Sequence, residues 1–331
     1  MDKQQPKNYI FPLCVLLLIA VCFGSVLFGS VTLSPADILS ALRGENATAS
    51  VILFSLRLPR LLAALLAGMA LAVAGHILQT VTDNPLCAPH IIGVNAGAGF
   101  AVMCVLCFLP FCWYILPLAA CIGALTATAL TLCITRHSRH KKATVILAGV
   151  AVSALLNAAI SFLSLRYPDV LSSYLAFSVG GFAGVGFTDI GIPAIVMIMA
   201  LTAVYILAPR ISILALGDDI ATTLGVRVRI LRTVTIMLCA ILCAMAVSFA
   251  GLLGFVGLIV PHCVRHLYPA PLRAQLPLTV LCGGILTALA DLAGRIMFSP
   301  SELPAGMLLA LLGAPFFVYL LIRRERHDYT A

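Results

Sequence analysis

Apolar runs alternate with short polar breaks along the whole chain. The runs cover about 10–31, 61–81, 91–109, 113–134, 144–165, 190–207, 233–250, 255–267, 274–296 and 304–322, the eighth being short. A helix needs roughly 20 apolar residues to cross about 30 Å of hydrocarbon. The pattern therefore predicts an all-α integral membrane protein of about ten transmembrane helices, built as a single polytopic domain over 1–331. Segment 168–186 is too polar and glycine-rich to span and is predicted to hold a short helix at the outer surface. Segment 208–232, APRISILALGDDIATTLGVRVRILR, is the most distinctive break. Ile213, Leu216, Ile220 and Leu224 recur at helical spacing, with Asp218, Asp219, Thr222 and Thr223 largely off that stripe. A short amphipathic helix pair is predicted, with Asp218 as a cap and Gly225 as a stop. Docking to another protein and lying on the lipid surface both fit such a loop.

Composition changes this picture little. Of the 331 residues 62% are hydrophobic and 10% are charged, which excludes an ordinary soluble domain. The net charge of +8 would suit nucleic acid, but the basic residues sit in clusters between apolar runs. Ten spans place fifteen Lys and Arg on the side of the termini and five opposite, namely Arg43, Arg57, Arg60, Arg166 and Arg295. By the positive-inside rule both termini are cytoplasmic. The run at 10–31 is longer than the apolar core of a secretion signal and reads as an uncleaved span.

Candidate chemistry is sparse. Most of the twelve cysteines fall inside apolar runs, and Cys104-x-x-Cys107 has no second pair at zinc spacing. Asn46-Ala47-Thr48 matches a glycosylation acceptor, a triplet common by chance. His76 and Gln79, one turn apart, are expected to make a buried interhelical hydrogen bond. Small residues at 68–75 and 283–284 are expected to let helices approach closely. The lysines are Lys3, Lys7, Lys141 and Lys142, and none follows a glycine, so the chain has no phosphate-cradling ATPase loop. Asp291 is the sole acid within a span and lies toward its outer end, which argues against a gradient-driven carrier, the rival reading. No nucleophile–base pair or metal cluster supports an intramembrane enzyme.

Three stretches are more specific: GHILQTVTDNPLCAPHIIGVNAG at 75–97, FAGLLGFVGLIVPH at 249–262 and SELPAGMLLALLGAPF at 301–316. The last is expected to enter from outside through Pro304, and the second to be stopped at its proline. With Arg57-Leu-Pro-Arg60, the LGV that ends the inner loop and ADLAGR, they resemble, in family order, the permease subunits of binding-protein-dependent ABC importers for iron–siderophore, haem and cobalamin (FecCD type). The resemblance spans nearly the whole chain. It implies a type II importer permease fold, a second permease subunit (a homodimer), two ABC ATPase subunits and an extracytoplasmic binding protein. No cofactor is bound by this chain; ATP and Mg belong to the ATPase.

Residue by residue, the resemblance makes 212–226 the coupling helices, with Leu216, Gly217, Asp218, Asp219, Ala221, Leu224 and Gly225 set against the ATPase. Arg57, Arg60 and Arg295 match arginines that meet glutamates of the binding protein, against the bland alternative of interfacial anchoring. Asn84 and Leu86 match the inner turn that closes the path, with Ala143 and Thr144 at a second constriction. Ser178-Val179-Gly180-Gly181 and Gly75-His76 depart from the family pattern, which bears on the path and not on the class.

Overall fold

A computed structural model describes residues 9–29, 32–135, 141–297 and 301–328, and each of the ten apolar runs holds a helix. The helices are α1 (Ile10–Leu27), α2 (Pro35–Leu42), α3 (Ala47–Ser50), α4 (Leu58–Thr82), α5 (Val94–Phe108), α6 (Leu116–Thr135) and α7 (Lys141–Arg166). They continue with α8 (Leu171–Val179), α9 (Phe187–Leu214), α10 (Asp218–Thr223), α11 (Val228–Ala250), α12 (Val256–Leu267), α13 (Leu272–Ile296) and α14 (Ala305–Asp328). Among the described residues, seven helical stretches are long and apolar enough to cross a membrane: those holding α1, α4, α6, α7, α9, α11 and α13. Helices α5 and α14 are apolar but shorter in their apolar part, and α12 has only 12 residues. The protein is an all-α integral membrane fold.

Helix α4 is the centre of the bundle. Its sequence is rich in alanine and leucine, strong helix formers, and a π-helical stretch, Val51–Arg57, runs directly into it just before Pro59. It packs against α13, α11, α12 and α9. Close approach is set by glycine pairs. A Cβ on Gly68 would collide with the Gly283 carbonyl, and one on Gly75 with the Gly257 carbonyl. The small residues at 68–75 and 283 thus do what was expected of them. Gly75→Ala is expected to cost about 1–3 kcal/mol by forcing α4 and α12 apart. Gly284→Ala, whose methyl would meet only the Met69 and Leu65 tips at 3.1 and 3.2 Å, should be nearly silent. Thermal unfolding of the two variants in detergent checks the contrast.

Two elements differ from expectation. Pro261 does not stop its helix; α12 runs through it to Leu267. A proline there leaves the Gly257 carbonyl without its helical donor. The Gln79 amide, from α4, donates to that carbonyl at 3.1 Å and replaces the lost bond. The helix pair foreseen near 212–226 is one helix, because α9 continues past Pro209 to Leu214 and only α10 stands apart.

Segment 168–186 does form the expected short helix, α8. Its end meets the α11–α12 break and the start of α14 through main-chain hydrogen bonds. Gly181 N–H donates to Ala250 O (2.8 Å), Leu252 N–H to Phe177 O (3.1 Å) and Gly306 N–H to Gly180 O (3.1 Å). Non-helical backbone within a membrane bundle needs such internal partners. Gly251 takes φ +68°, and a Cβ there would sit 2.5 Å from Phe177 O, so glycine is required on both counts. At the edge of the bundle, Asn46 caps α3 through its side chain, which accepts from Ala49 N–H at 3.1 Å; this is the Asn of the glycosylation triplet.

Candidate functional site

The loop between α9 and α11 holds all seven residues expected to couple to a partner. Gly217 (φ +105°) turns the chain out of α9, and Asp218 is the first residue of α10 and not its cap. Asp218 instead reaches across to α11. Arg232 Nη1 donates to its Oδ2 at 3.1 Å and Nη2 to its Oδ1 at 2.5 Å. The helix ends as expected at Gly225 (φ +77°): Val226 N–H bonds Ala221 O (3.0 Å) and Gly225 N–H bonds Thr222 O (2.9 Å). This double closure with a left-handed glycine fixes the exit angle of the chain.

The loop is therefore held from below and apolar on top. Ala221 is 0% exposed, whereas Leu216, Ile220 and Leu224 are 57%, 51% and 59% exposed. Asp219 is exposed beside them. An exposed apolar patch on a braced loop is a contact surface more often than a solvated one. The sequence showed the stripe and its charged flanks, but not that Asp218 and Arg232 form the brace; spacing alone does not reveal a bond across 14 residues.

Between this end and the bundle interior lies a polar cavity of about 430 Å³, lined among others by His76, Gln79, Asn84, Arg265 and Gln275. His76 and Gln79 make the interhelical bonds expected of them. Thr279 Oγ1 donates to Gln275 O at 3.0 Å, so it accepts from His76 Nδ1, 2.8 Å away. That fixes the proton on Nδ1 and leaves Nε2 an acceptor. Arg265 donates to Gln79 Oε1. Asn84 builds the predicted turn: Asp83 adopts φ +51°, Leu86 N–H bonds Asn84 Oδ1 (3.0 Å) and Cys87 N–H bonds Asn84 O (3.1 Å). Leu86 is half-buried. Thr144 is half-buried in the first turn of α7, and the Ala143 side chain lies outside the described residues. His262, within α12, stacks edge-on against Phe316 at 5.6 Å.

At the opposite end the three singled-out arginines converge on one cavity of about 210 Å³, together with Gly29, Ser55 and Glu302. Arg57 and Arg295 are buried, at 6% and 3% exposed. Arg60 Nε bonds both Asp291 oxygens (2.9 and 3.1 Å), and its Nη1 bonds Glu302 Oε2 (2.6 Å). Arg295 Nε lies 3.1 Å from Asp291 Oδ2, an ion-pair distance without hydrogen-bond alignment, and its Nη1 donates to Ser25 O at 3.3 Å. Arg57 donates to the Val26 carbonyl. The i, i+4 partnership of Asp291 and Arg295 was legible in the sequence; the sharing of Asp291 with Arg60 and the entry of Glu302 were not. Arg60 and Arg295 thus share Asp291, Arg60 also holds Glu302, and Arg57 lines the same cavity. Among the described residues no group of His, Cys, Asp and Glu could hold a metal ion.

Comparison with known proteins agrees with these features. The FecCD transport family matches residues 16–323. The chain is 33% identical over 320 residues to the Fe(3+)-citrate import system permease protein YfmE of Bacillus subtilis (strain 168), covering 96% of each. It is 38% identical over 320 residues to the achromobactin transport system permease protein CbrC of Dickeya dadantii (strain 3937), covering 95% of this chain and 91% of that one. A solved metal-chelate type ABC transporter in an inward-facing conformation superposes with a TM-score of 0.86 at 31% identity, over 96% of this chain and 100% of that one. The chain belongs to the FecCD transport family: it is the permease subunit of an ABC importer, and ATP hydrolysis is carried by a partner subunit.

Proposed function

We propose that two copies of this chain form the membrane pore of an importer for a metal chelate: an iron siderophore, haem or cobalamin. Each copy is one polytopic domain of ten spans with both termini cytoplasmic. The seven long helices are joined in this reading by α5, α12 and α14, which lie in apolar runs of the same kind but need neighbours to complete the crossing. The fifteen-to-five distribution of Lys and Arg supports the orientation. It puts α10 on the cytoplasmic face, against one of two ABC ATPase subunits, and the arginine cavity on the outer face.

The observation that carries the reading is the exposed Leu216–Ile220–Leu224 stripe on a loop whose underside is anchored by Ala221 and the Asp218–Arg232 pair. A short rigid helix fixed to two long ones passes a push from below into α9 and α11. At the outer face, an extracytoplasmic binding protein would place an acidic side chain at the cavity lined by Arg57, Arg60 and Arg295. Asn84 and Leu86, together with Ala143 and Thr144, form the cytoplasmic gate. The cargo class is supported by the cargoes of the relatives, Fe(3+)-citrate and achromobactin, and by the metal-chelate type of the structural neighbour.

The test is uptake of radioactive ferric citrate into proteoliposomes holding this chain with the ATPase and binding protein encoded beside it. Uptake that needs both ATP and the binding protein is expected. Uptake driven by an ion gradient without ATP would replace the importer with a secondary carrier. In the same system Arg57→Glu is expected to weaken binding-protein association at least 10-fold, since it reverses a charge that lines the cavity; unchanged association would remove that arginine from the docking site.

A further inference from the structure

An apolar groove of about 510 Å³ runs down the flank of the bundle between α5 and α6, with Leu156 of α7 at its side. Its shape follows from side-chain size. A Cβ on Gly97 would collide with the Gly123 carbonyl, and one on Gly123 with the Gly97 carbonyl, so the two helices touch backbone to backbone there. These glycines, with Ala101 and Ala119, leave a floor of small residues, and Phe100, Leu118 and Ile122 stand beside it as rims. On α6 the lining recurs from Ile115 to Leu130 at helical spacing, a length of about 22 Å. The groove carries no charge: residues 94–135 contain no Asp, Glu, Lys or Arg. Its one hydroxyl, Thr126, already donates to Gly123 O at 3.1 Å.

The groove ends at the α5–α6 turn, away from the α10 end of the bundle. Phe111 and Trp113 are 90% and 74% exposed there, with Tyr114 exposed beside them. An apolar patch of that kind is a contact surface. The turn satisfies its own backbone: Leu109 N–H bonds Val105 O (2.8 Å), Cys112 N–H bonds Leu109 O (2.9 Å) and Ile115 N–H bonds Cys112 O (2.9 Å). It can therefore leave water at little cost. Helix α7 sets its level. Phe108 meets Tyr167 edge-on at 5.8 Å, and Arg166, the last residue of α7, lies over the Tyr167 ring at 5.3 Å. Arginine and amphipathic aromatics at one level mark the boundary between hydrocarbon and headgroups. A protein laid in the groove would find no charge and no unpaired side-chain group to set its register, which interfaces normally supply. A hydrocarbon chain needs none, and one leaflet, about 15 Å deep, fits within the groove's length.

We propose that this groove is a binding site for a diacyl phospholipid, one acyl chain on the floor made by Gly97, Ala101, Ala119 and Gly123, its glycerol and headgroup level with Trp113 and Tyr114. The chain supplies the packing that the small residues leave out. The orientation argued above decides only which leaflet provides the lipid; the site stands without it.

Trp113 is the sole tryptophan of the chain and reports on the site directly. Phosphatidylcholine brominated near the glycerol, titrated into the delipidated chain in detergent, should quench its emission to a plateau at about one lipid per chain. Bromines near the end of the acyl chain should quench less. Ala119→Phe fills the floor and Thr126→Phe, at an exposed position, fills the groove from its side; each should raise the lipid needed by about 10-fold or more, the worth of two lost methylene contacts. Having two variants guards against one that fails to fold. Quenching that only rises linearly with lipid, a plateau unchanged in both variants, or stronger quenching from the chain end would each overturn the proposal. So would Ala119→Phe splitting a dimer while the plateau persists, which would assign the groove to a second copy.

Discussion

Leu224→Asp and Ile220→Asp are each expected to lower association with the ATPase subunit by about 10- to 100-fold and to remove ATP-driven uptake to the same extent. The expectation follows from what the two side chains touch in the isolated chain, which is very little: they are 59% and 51% exposed. Placed in a groove of a partner, a leucine-sized side chain contributes about 1.5–3 kcal/mol, which is one to two orders of magnitude in affinity. An aspartate in that groove forfeits this and adds the cost of a desolvated carboxylate. The same exposure protects the fold, so both variants should purify with the yield and thermal midpoint of the parent. Ala221→Glu is the contrasting case. It forces a charge under α10 where nothing is exposed, and should lose stability and association together. Co-purification with the ATPase, read beside the unfolding midpoint, separates the two outcomes. Leu224→Asp protein that stays folded and still retains ATPase at parental stoichiometry would sink the coupling assignment.

The fold was legible because membrane helices announce themselves by length and apolarity. All ten runs hold helices, and the Gly68 and Gly75 contacts follow from small residues in an otherwise bulky helix. The errors lie where a local rule was overridden by a distant partner. Pro261 looks like a stop, yet α12 continues because Gln79, 178 residues earlier, serves the orphaned Gly257 carbonyl. Asp218 looks like a cap, yet its carboxylate is bound by Arg232 before it can fold back on its own helix. The site was legible in outline for a related reason. The exposed stripe on α10 is local periodicity, which a sequence carries in full. The arginine cavity is assembled from four separate segments, and only the Asp291–Arg295 pair among its bonds is local. Glycines posed the same problem: Gly180, Gly251 and Gly306 sit in three different motifs, and nothing in their spacing says that their backbones meet.

Asp291→Asn is expected to destabilise the chain by about 3–5 kcal/mol, the cost of leaving a buried guanidinium without its counter-charge. Asp291 is 2% exposed in its side chain and lies between Arg60 (13%) and Arg295 (4%). Arg60 would keep Glu302, but Arg295 would retain, among the described residues, the Ser25 carbonyl at 3.3 Å. The variant should therefore unfold earlier in detergent, with a loss little affected by salt, because buried pairs are poorly screened. Removing both charges discriminates between two meanings of the network. If its role is to hold α4, α13 and the 301–304 segment together, Asp291→Leu combined with Arg295→Leu should recover at least half of the lost stability, since apolar replacements of a buried pair are well tolerated. If the arginines are held ready for a binding protein, that double variant should be stable and yet bind the partner at least 10-fold more weakly. Stability within about 0.5 kcal/mol of the parent for Asp291→Asn would show that Arg295 finds another counter-charge, and the network would no longer account for this end of the bundle.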